Sequence, residues 1–187
     1  VSLRNARLAQ QRQEELSARR QAEEKLQASL STSEGIFNSI TEAVYILDEN
    51  GLFLNVNLGA EKMYSYPAEH FIGRTPEFLS APGKNDFAKV TEYIRRAYHG
   101  EIVEFEFWGR RKDGSIFPKD VRLTPGTYFN RKVVIAVGRD VTERKLAEEA
   151  ISQTERYFKA LIEKAPDGII LVGLDGNTQY VSPSARN

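Results

Sequence analysis

The hydrophobic pattern changes period twice along these 187 residues. Residues 1–34 contain no Pro and no Gly and are dense in Ala, Arg, Gln, Glu and Leu, which predicts one long helix. Charges at helical spacing, Glu15 with Arg19 and Arg20 with Glu24, support its exposed face. One heptad register places Leu16, Leu30 and Phe37 on a seam, but Arg12, Arg19 and Glu23 share it. Three seam charges weaken a zipper. The segment reads either as a weak, strainable two-helix contact or as a single solvated helix.

From residue 43 the period becomes that of strands. Residues 43–48 form a short apolar run, Glu49-Asn50-Gly51 is turn chemistry, and residues 52–57 continue as a strand. Residues 58–80 carry scattered Gly, Pro and aromatics and predict short helices joined by turns. Asn85-Asp86 caps a helix that runs to about Tyr98, with Gly100 as its stop. Residues 101–111 and 115–124 predict a hairpin closed at Lys112-Asp113-Gly114, and residues 133–138 a last strand. Asp140 and Thr142 then open a helix through Lys164, with Thr142 as N-cap and Glu143 in the first turn. Five strands with helices grouped in the middle predict an α+β fold, an antiparallel sheet covered on one face and flanked by two long helices.

The hairpin can be aligned residue by residue. A three-residue loop with Gly114 left-handed sets Val103 opposite Leu123, Phe105 opposite Val121, Phe107 opposite Lys119, and Glu104 opposite Arg122. Alternation then gathers Val103, Phe105, Phe107, Lys119, Val121 and Leu123 on one core-like face, the candidate ligand-pocket residues. Glu104, Glu106, Trp108, Asp120 and Arg122 share the other face. Two inward phenylalanines fill much of a small domain's cavity and favour a packed core without a cofactor. A core-facing lysine must find an anion or snorkel. An internal carboxylate, a small carboxylate or phosphate ligand, and a rim position all stay open for Lys119.

The chain also repeats itself. An offset of 125 residues lays Ala22-Glu23-Glu24 on Ala147-Glu148-Glu149, Val44-Tyr45-Ile46-Leu47 on Ile169-Ile170-Leu171-Val172, and Gly51 on Gly176, without a gap. That period is domain-sized. The expected organisation is a signalling helix at 1–35, a complete domain at 36–140, a linker helix at 141–164, and the truncated start of a second domain at 165–187.

Lys+Arg and Asp+Glu stand at 26 each, so no global field draws the chain to nucleic acid or to anionic membrane. No apolar run approaches the roughly 20 residues that span a bilayer, and a cytoplasmic protein is expected. The absence of Cys excludes disulfides, thiolate metal sites and cysteinyl adducts. There is no Ser/His/Asp set, P-loop or zinc helix, so the segment is expected not to be an enzyme. His70 and His99 each lack a second ligand in register, and no metal site is expected.

Several segments in order resemble a known family: Ser39-Ile40-Thr41-Glu42-Ala43-Val44 through Asp48-Glu49-Asn50-Gly51, and Tyr64-Ser65-Tyr66-Pro67-Ala68-Glu69-His70-Phe71-Ile72-Gly73-Arg74. Arg110-Arg111-Lys112-Asp113-Gly114, Phe117-Pro118 and Gly138-Arg139-Asp140-Val141-Thr142-Glu143-Arg144-Lys145 complete the pattern. They resemble a PAS domain over residues 36–145, with a second, partial match at 165–187. Val1-Ser2-Leu3-Arg4-Asn5-Ala6-Arg7-Leu8 resembles the closing helix of a GAF domain.

The resemblance implies a sensory, signal-transducing module of a multi-domain bacterial or archaeal sensor of the histidine kinase type. Such a module dimerises through its flanking helices and the sheet's outer face, here Glu104, Trp108 and Arg122. It relays a signal to an output domain in the same parent chain, and Arg139, Asp140 and Thr142 are the implied coupling residues. Light-sensing flavin members need a cysteine, and redox flavin members a tryptophan where this chain has Val103. Haem members use a histidine where Asn85 stands and oxygen sensors an arginine where Phe105 stands. Neither flavin nor haem is expected, while a small-molecule ligand is allowed. A flavin or haem sensor of redox state or oxygen is the alternative.

Overall fold

A helix, α1 (Ser2–Ser39), leads into a five-stranded antiparallel sheet in the computed structural model, which describes residues 2–164 and 167–185. The strands are β1 (Ala43–Leu47), β2 (Phe53–Val56), β3 (Val103–Arg110), β4 (Ile116–Tyr128) and β5 (Arg131–Asp140), in the order β2-β1-β5-β4-β3. Between β2 and β3 lie α2 (Leu58–Tyr64), single 3-10 turns at Ala68–His70 and Pro76–Leu79, and α3 (Phe87–Tyr98). The expected α+β architecture is the one observed. Helices α2 and α3 bury Ala60, Tyr64, Val90, Ile94 and Ala97 against the sheet face that carries Tyr45, Phe107, Val121, Leu123 and Ala136. Full burial of each Val, Leu or Ile there is worth about 1.5–3 kcal/mol.

The β3–β4 register follows from its loop. Arg111 N donates to Ser115 O at 2.9 Å, leaving Lys112, Asp113 and Gly114 as the three loop residues. Gly114 has φ +87°, which a Cβ would strain, and Asp113 Oδ1 accepts from Ser115 N and Oγ at 2.9 and 2.7 Å. Val103 therefore opposes Leu123, Phe105 opposes Val121 and Phe107 opposes Lys119. Strands β4 and β5 are longer than their pattern suggested. They join through Phe129 and Asn130, both at positive φ (46° and 59°), a two-residue turn of the hairpin type. Pro125-Gly126 reads as loop chemistry, yet both residues stay in β4. They lie past Leu123, where β3 no longer pairs and an edge strand tolerates proline.

Helix α1 runs on to Ser39, past the boundary expected at residue 35, and through Gly35. Its last turn is held from outside by Asn57, which is fully buried. The Asn57 Nδ2 group donates to Phe37 O, Ile40 O and Glu42 O at 3.2, 3.1 and 3.0 Å. Its Oδ1 accepts from Val44 N at 2.9 Å and caps α2 through Ala60 N at 3.0 Å. One amide thus ties α1, β1 and α2 together. On the exposed body of α1, Arg19 pairs with Glu23 at 2.8 Å, and neither expected pair, Glu15 with Arg19 or Arg20 with Glu24, forms among the described residues. Arg19 is four residues from both glutamates and is taken by the later one. Leu16, Leu26, Leu30 and Ile36 remain exposed along α1.

Residues 141–187 form a second unit with α4 (Thr142–Lys164), β6 (Ile170–Val172) and β7 (Thr178–Val181). Its backbone repeats the first unit at the offset seen in the sequence. Ile170 pairs with Val181 as Tyr45 pairs with Val56, with a register shift at the matching place. Gly176 N donates to Gly173 O as Gly51 N donates to Asp48 O, at 2.9 and 3.1 Å. Ser182 takes the place of Asn57: fully buried, it accepts from Ile169 N through Oγ at 2.9 Å. Val1 of the GAF-like match, and residues 165–166 and 186–187 of the expected second domain, lie outside the described residues.

Replacing Asn57 by Ala strands the buried Val44 N–H and several carbonyls, and should lower the urea-unfolding free energy by about 2–3 kcal/mol. Asn57→Ser keeps an acceptor for Val44 N and should cost about half as much.

Candidate functional site

Lys119 is the charged side chain that the register turns inward. It sits on β4 opposite Phe107, is 5% exposed, and makes no hydrogen bond or ion pair among the described residues. Its Nζ lies 4.8 Å from the Tyr45 ring centre, 4.9 Å from that of Tyr64 and 4.9 Å from that of Phe107. Neither an internal carboxylate nor a rim position receives it. Three aromatic rings do, each worth about 0.5–2 kcal/mol to a cation. Burial pulls the ammonium down to about 7, while the ring faces act in the opposite direction. The same burial raises the Tyr45 phenol, with Tyr64 adding to the effect.

A cavity of about 30 Å³ adjoins this cage. Phe105, Phe107, Lys119, Val121 and Leu123 line it, with Tyr45 from β1 and Val90 and Ile94 from α3. Val103 is buried at 5% exposure but does not reach the cavity. This space holds about one water molecule, whereas pockets for drug-sized ligands run to about 300–1,000 Å³. The side chains present do not fit a flavin or a haem. At the position of the haem ligand, Asn85 clamps the edge of β3. Its Nδ2 donates to Trp108 O at 2.8 Å and to Ser80 Oγ at 2.6 Å, and its Oδ1 accepts from Trp108 N at 2.9 Å. His70 stacks on Tyr66 with ring centres 5.5 Å apart, and His99 ends α3 with its Nδ1 2.8 Å from Arg95 O.

Tyr64 links this cage to the end of the sheet. Its ring borders Lys119, its Oη is buried without a hydrogen-bond partner among the described residues, and Gly109 leaves it room, since a Cβ there would lie 2.6 Å from Oη. Its carbonyl accepts from Lys112 N of the hairpin loop at 3.0 Å. Arg111, at the loop's start, stacks 3.8 Å over Phe117 and donates from Nη2 to Asp140 Oδ2 at 2.5 Å. Burial raises the Tyr64 phenol, with Arg111 pulling it down and Asp140 pushing it up.

Among the expected coupling residues, Asp140 thus ends β5 in an ion pair about seven-tenths buried on both sides. Arg139 is exposed and borders a surface groove with Thr41, Glu42, Met63 and Asp140. Thr142 is the first helical residue of α4 rather than its cap, because Lys145 N donates to Val141 O.

The expected outer-face trio is not brought together. Glu104 and Arg122 oppose each other at 3.6 Å and border an open groove of about 630 Å³ with Glu42, Glu106, Asp120 and Arg139. Trp108 lies further along β3, opposite Pro118, with Lys84 Nζ 5.0 Å from its ring. The Asn85 clamp binds the Trp108 main chain to the segment before α3.

A fold of this order and this inner face matches the model of the PAS domain family over residues 41–143, and the chain belongs to that family of sensory domains. It is 36% identical over 107 residues to two-component system protein A of Emericella nidulans, covering 57% of this chain and 16% of that protein. It is 24% identical over 165 residues to sporulation kinase E of Bacillus subtilis, covering 87% of this chain and 22% of the kinase. The chain therefore spans about a fifth or less of the length of these relatives. The PAS domain of an HTR-like protein from Haloarcula marismortui shares the fold, with a TM-score of 0.58 and 22% identity over 65% of this chain and 98% of that one. Among the described residues no helix is long and apolar enough to cross a membrane.

Lys119 has a consequence for stability. Below pH 7 both folded and unfolded chains hold its proton, and the folded chain bears a full buried charge. Between about 7 and the unfolded value near 10.4, the unfolded chain alone holds the proton, so stability rises with pH. In low-salt buffer Lys119→Met should raise the unfolding free energy by about 1–3 kcal/mol near pH 6, and the gain should shrink toward pH 10.

Proposed function

We propose that this chain is a sensory relay that dimerises through α1 and the outer sheet face. In this reading it passes a conformational signal through its flanking helices to an output domain elsewhere in the parent chain. The parent is then a cytoplasmic sensor of the histidine kinase type, in keeping with its similarity to a two-component protein and a sporulation kinase. Residues 165–187 open a second domain of the same family.

One observation carries the relay. Ala43 on β1 pairs with Gly138 on β5, and the last residue of α1 and the first of α4 each lie four residues along the chain from that pair. A shift between β1 and β5 is thus delivered to both helices over the same short stretch of backbone. Asn57 holds the incoming end and the Arg111/Asp140 pair holds the outgoing end. The cavity's size favours this over a flavin or haem sensor.

The ion pair is about seven-tenths buried, so Asp140→Ala and Arg111→Ala should each cost about 1–3 kcal/mol of stability and still fold. Both should abolish stimulus-dependent output in the parent protein, read as autophosphorylation; a normal response from both folded variants would refute the coupling. Light scattering of the 187-residue chain at high micromolar concentration should give a dimer. A monomer would remove the dimer from the reading.

A further inference from the structure

We propose that the cavity beside Lys119 is a binding site for one small monovalent inorganic anion, of the size of chloride or nitrite, paired with the Lys119 ammonium. Four observations converge on it. Lys119 is 5% exposed and no carboxylate among the described residues reaches its ammonium. The three rings around Nζ attract a cation but bring no net charge, so the cage leaves the charge without a counter-ion. Lys119 itself lines the cavity together with two of those rings, Tyr45 and Phe107. The volume of about 30 Å³ is a tenth or less of a drug-sized pocket and suits a compact ion better than a bulky organic ligand.

The neighbouring titratable groups do not supply the missing charge. Tyr45 from β1 and Tyr64 from α2 are both kept neutral by burial, and the lining residues of α3 are Val90 and Ile94. Across β4, Asp140 is opposite Lys119 in the ladder, but its carboxylate is engaged by Arg111. Gly138 packs on the lysine stem and carries no side chain. Anion binding requires the protonated amine, so affinity falls as the amine loses its proton above about pH 7.

The site stands or falls separately from the relay, because its test reads binding and not output. Chloride is titrated into the 187-residue chain at constant ionic strength made up with gluconate, and read by chloride-35 line width and by the urea midpoint. The expected result is a saturable one-site response near pH 6. It should weaken about tenfold per pH unit above 7 in the unaltered protein and disappear in Lys119→Met. Nitrite should compete, and sulfate should not. A chloride response that persists in folded Lys119→Met, an equal response to sulfate, a pH-independent response, or no saturation up to molar chloride would each overturn the proposal.

Discussion

The register of β3 against β4 decides which side of the sheet every chemically interesting residue occupies. Because side chains alternate, a slip of one residue would send Lys119 to solvent and bring Asp120 into the core. The slip is prevented locally, by a left-handed Gly114 and by an aspartate that binds the backbone two residues on. It is also prevented globally, because Phe107, Phe117, Val121 and Leu123 are all buried in the observed pairing. The same parity carries Arg111 onto the inner side at the hairpin's end, within reach of Asp140 on the far side of β4. A three-residue loop thus sets both the cage and the ion pair.

From that constraint the internal mechanics follow. The lysine is held by rings from three different elements, β1, α2 and β3, so its charge is shared among parts of the fold that are distant in sequence. Tyr64 belongs to two of these groupings. Its ring faces the ammonium, and its hydroxyl end lies in the field of Arg111 and Asp140. Tyr64 is thus the one of the three ring-bearing residues that borders both Lys119 and the Arg111–Asp140 pair. On the opposite side of the same strand pair, Asn57 anchors the last turn of α1. Ser182, its counterpart in the second unit, lacks the amide donors with which Asn57 binds three carbonyls.

Much of this was legible in the chain, and the failures have physical causes. The hairpin register was readable because turn chemistry and alternation are local. The repeat was readable because it needs no gap, and the backbone hydrogen bonds of the second unit follow it residue by residue. Lys119 stands out in the sequence, but its partners do not, since Tyr45 and Tyr64 come to it only by long-range packing. Asn57 reads as no more than a strand end, because nothing local distinguishes an asparagine that binds three carbonyls from one that closes a turn. Pro125-Gly126 concealed four further residues of β4, as an edge position removes the usual penalty for both. Trp108 shares a parity with Glu104 and Arg122, but it stands four residues further along β3, and parity does not reveal that Lys84 covers its ring.

A buried, ring-caged amine is what the register produces, and the carbon and nitrogen resonances at the end of the Lys119 side chain report on it directly. A pH titration of the Lys119 Cε and Nζ shifts by NMR should show a midpoint near 7, with ring-current displacement of the Hε protons from the other lysines. A midpoint near 10.4 with undisplaced protons would place the side chain in water and contradict the register, the cage and the link to Asp140 together.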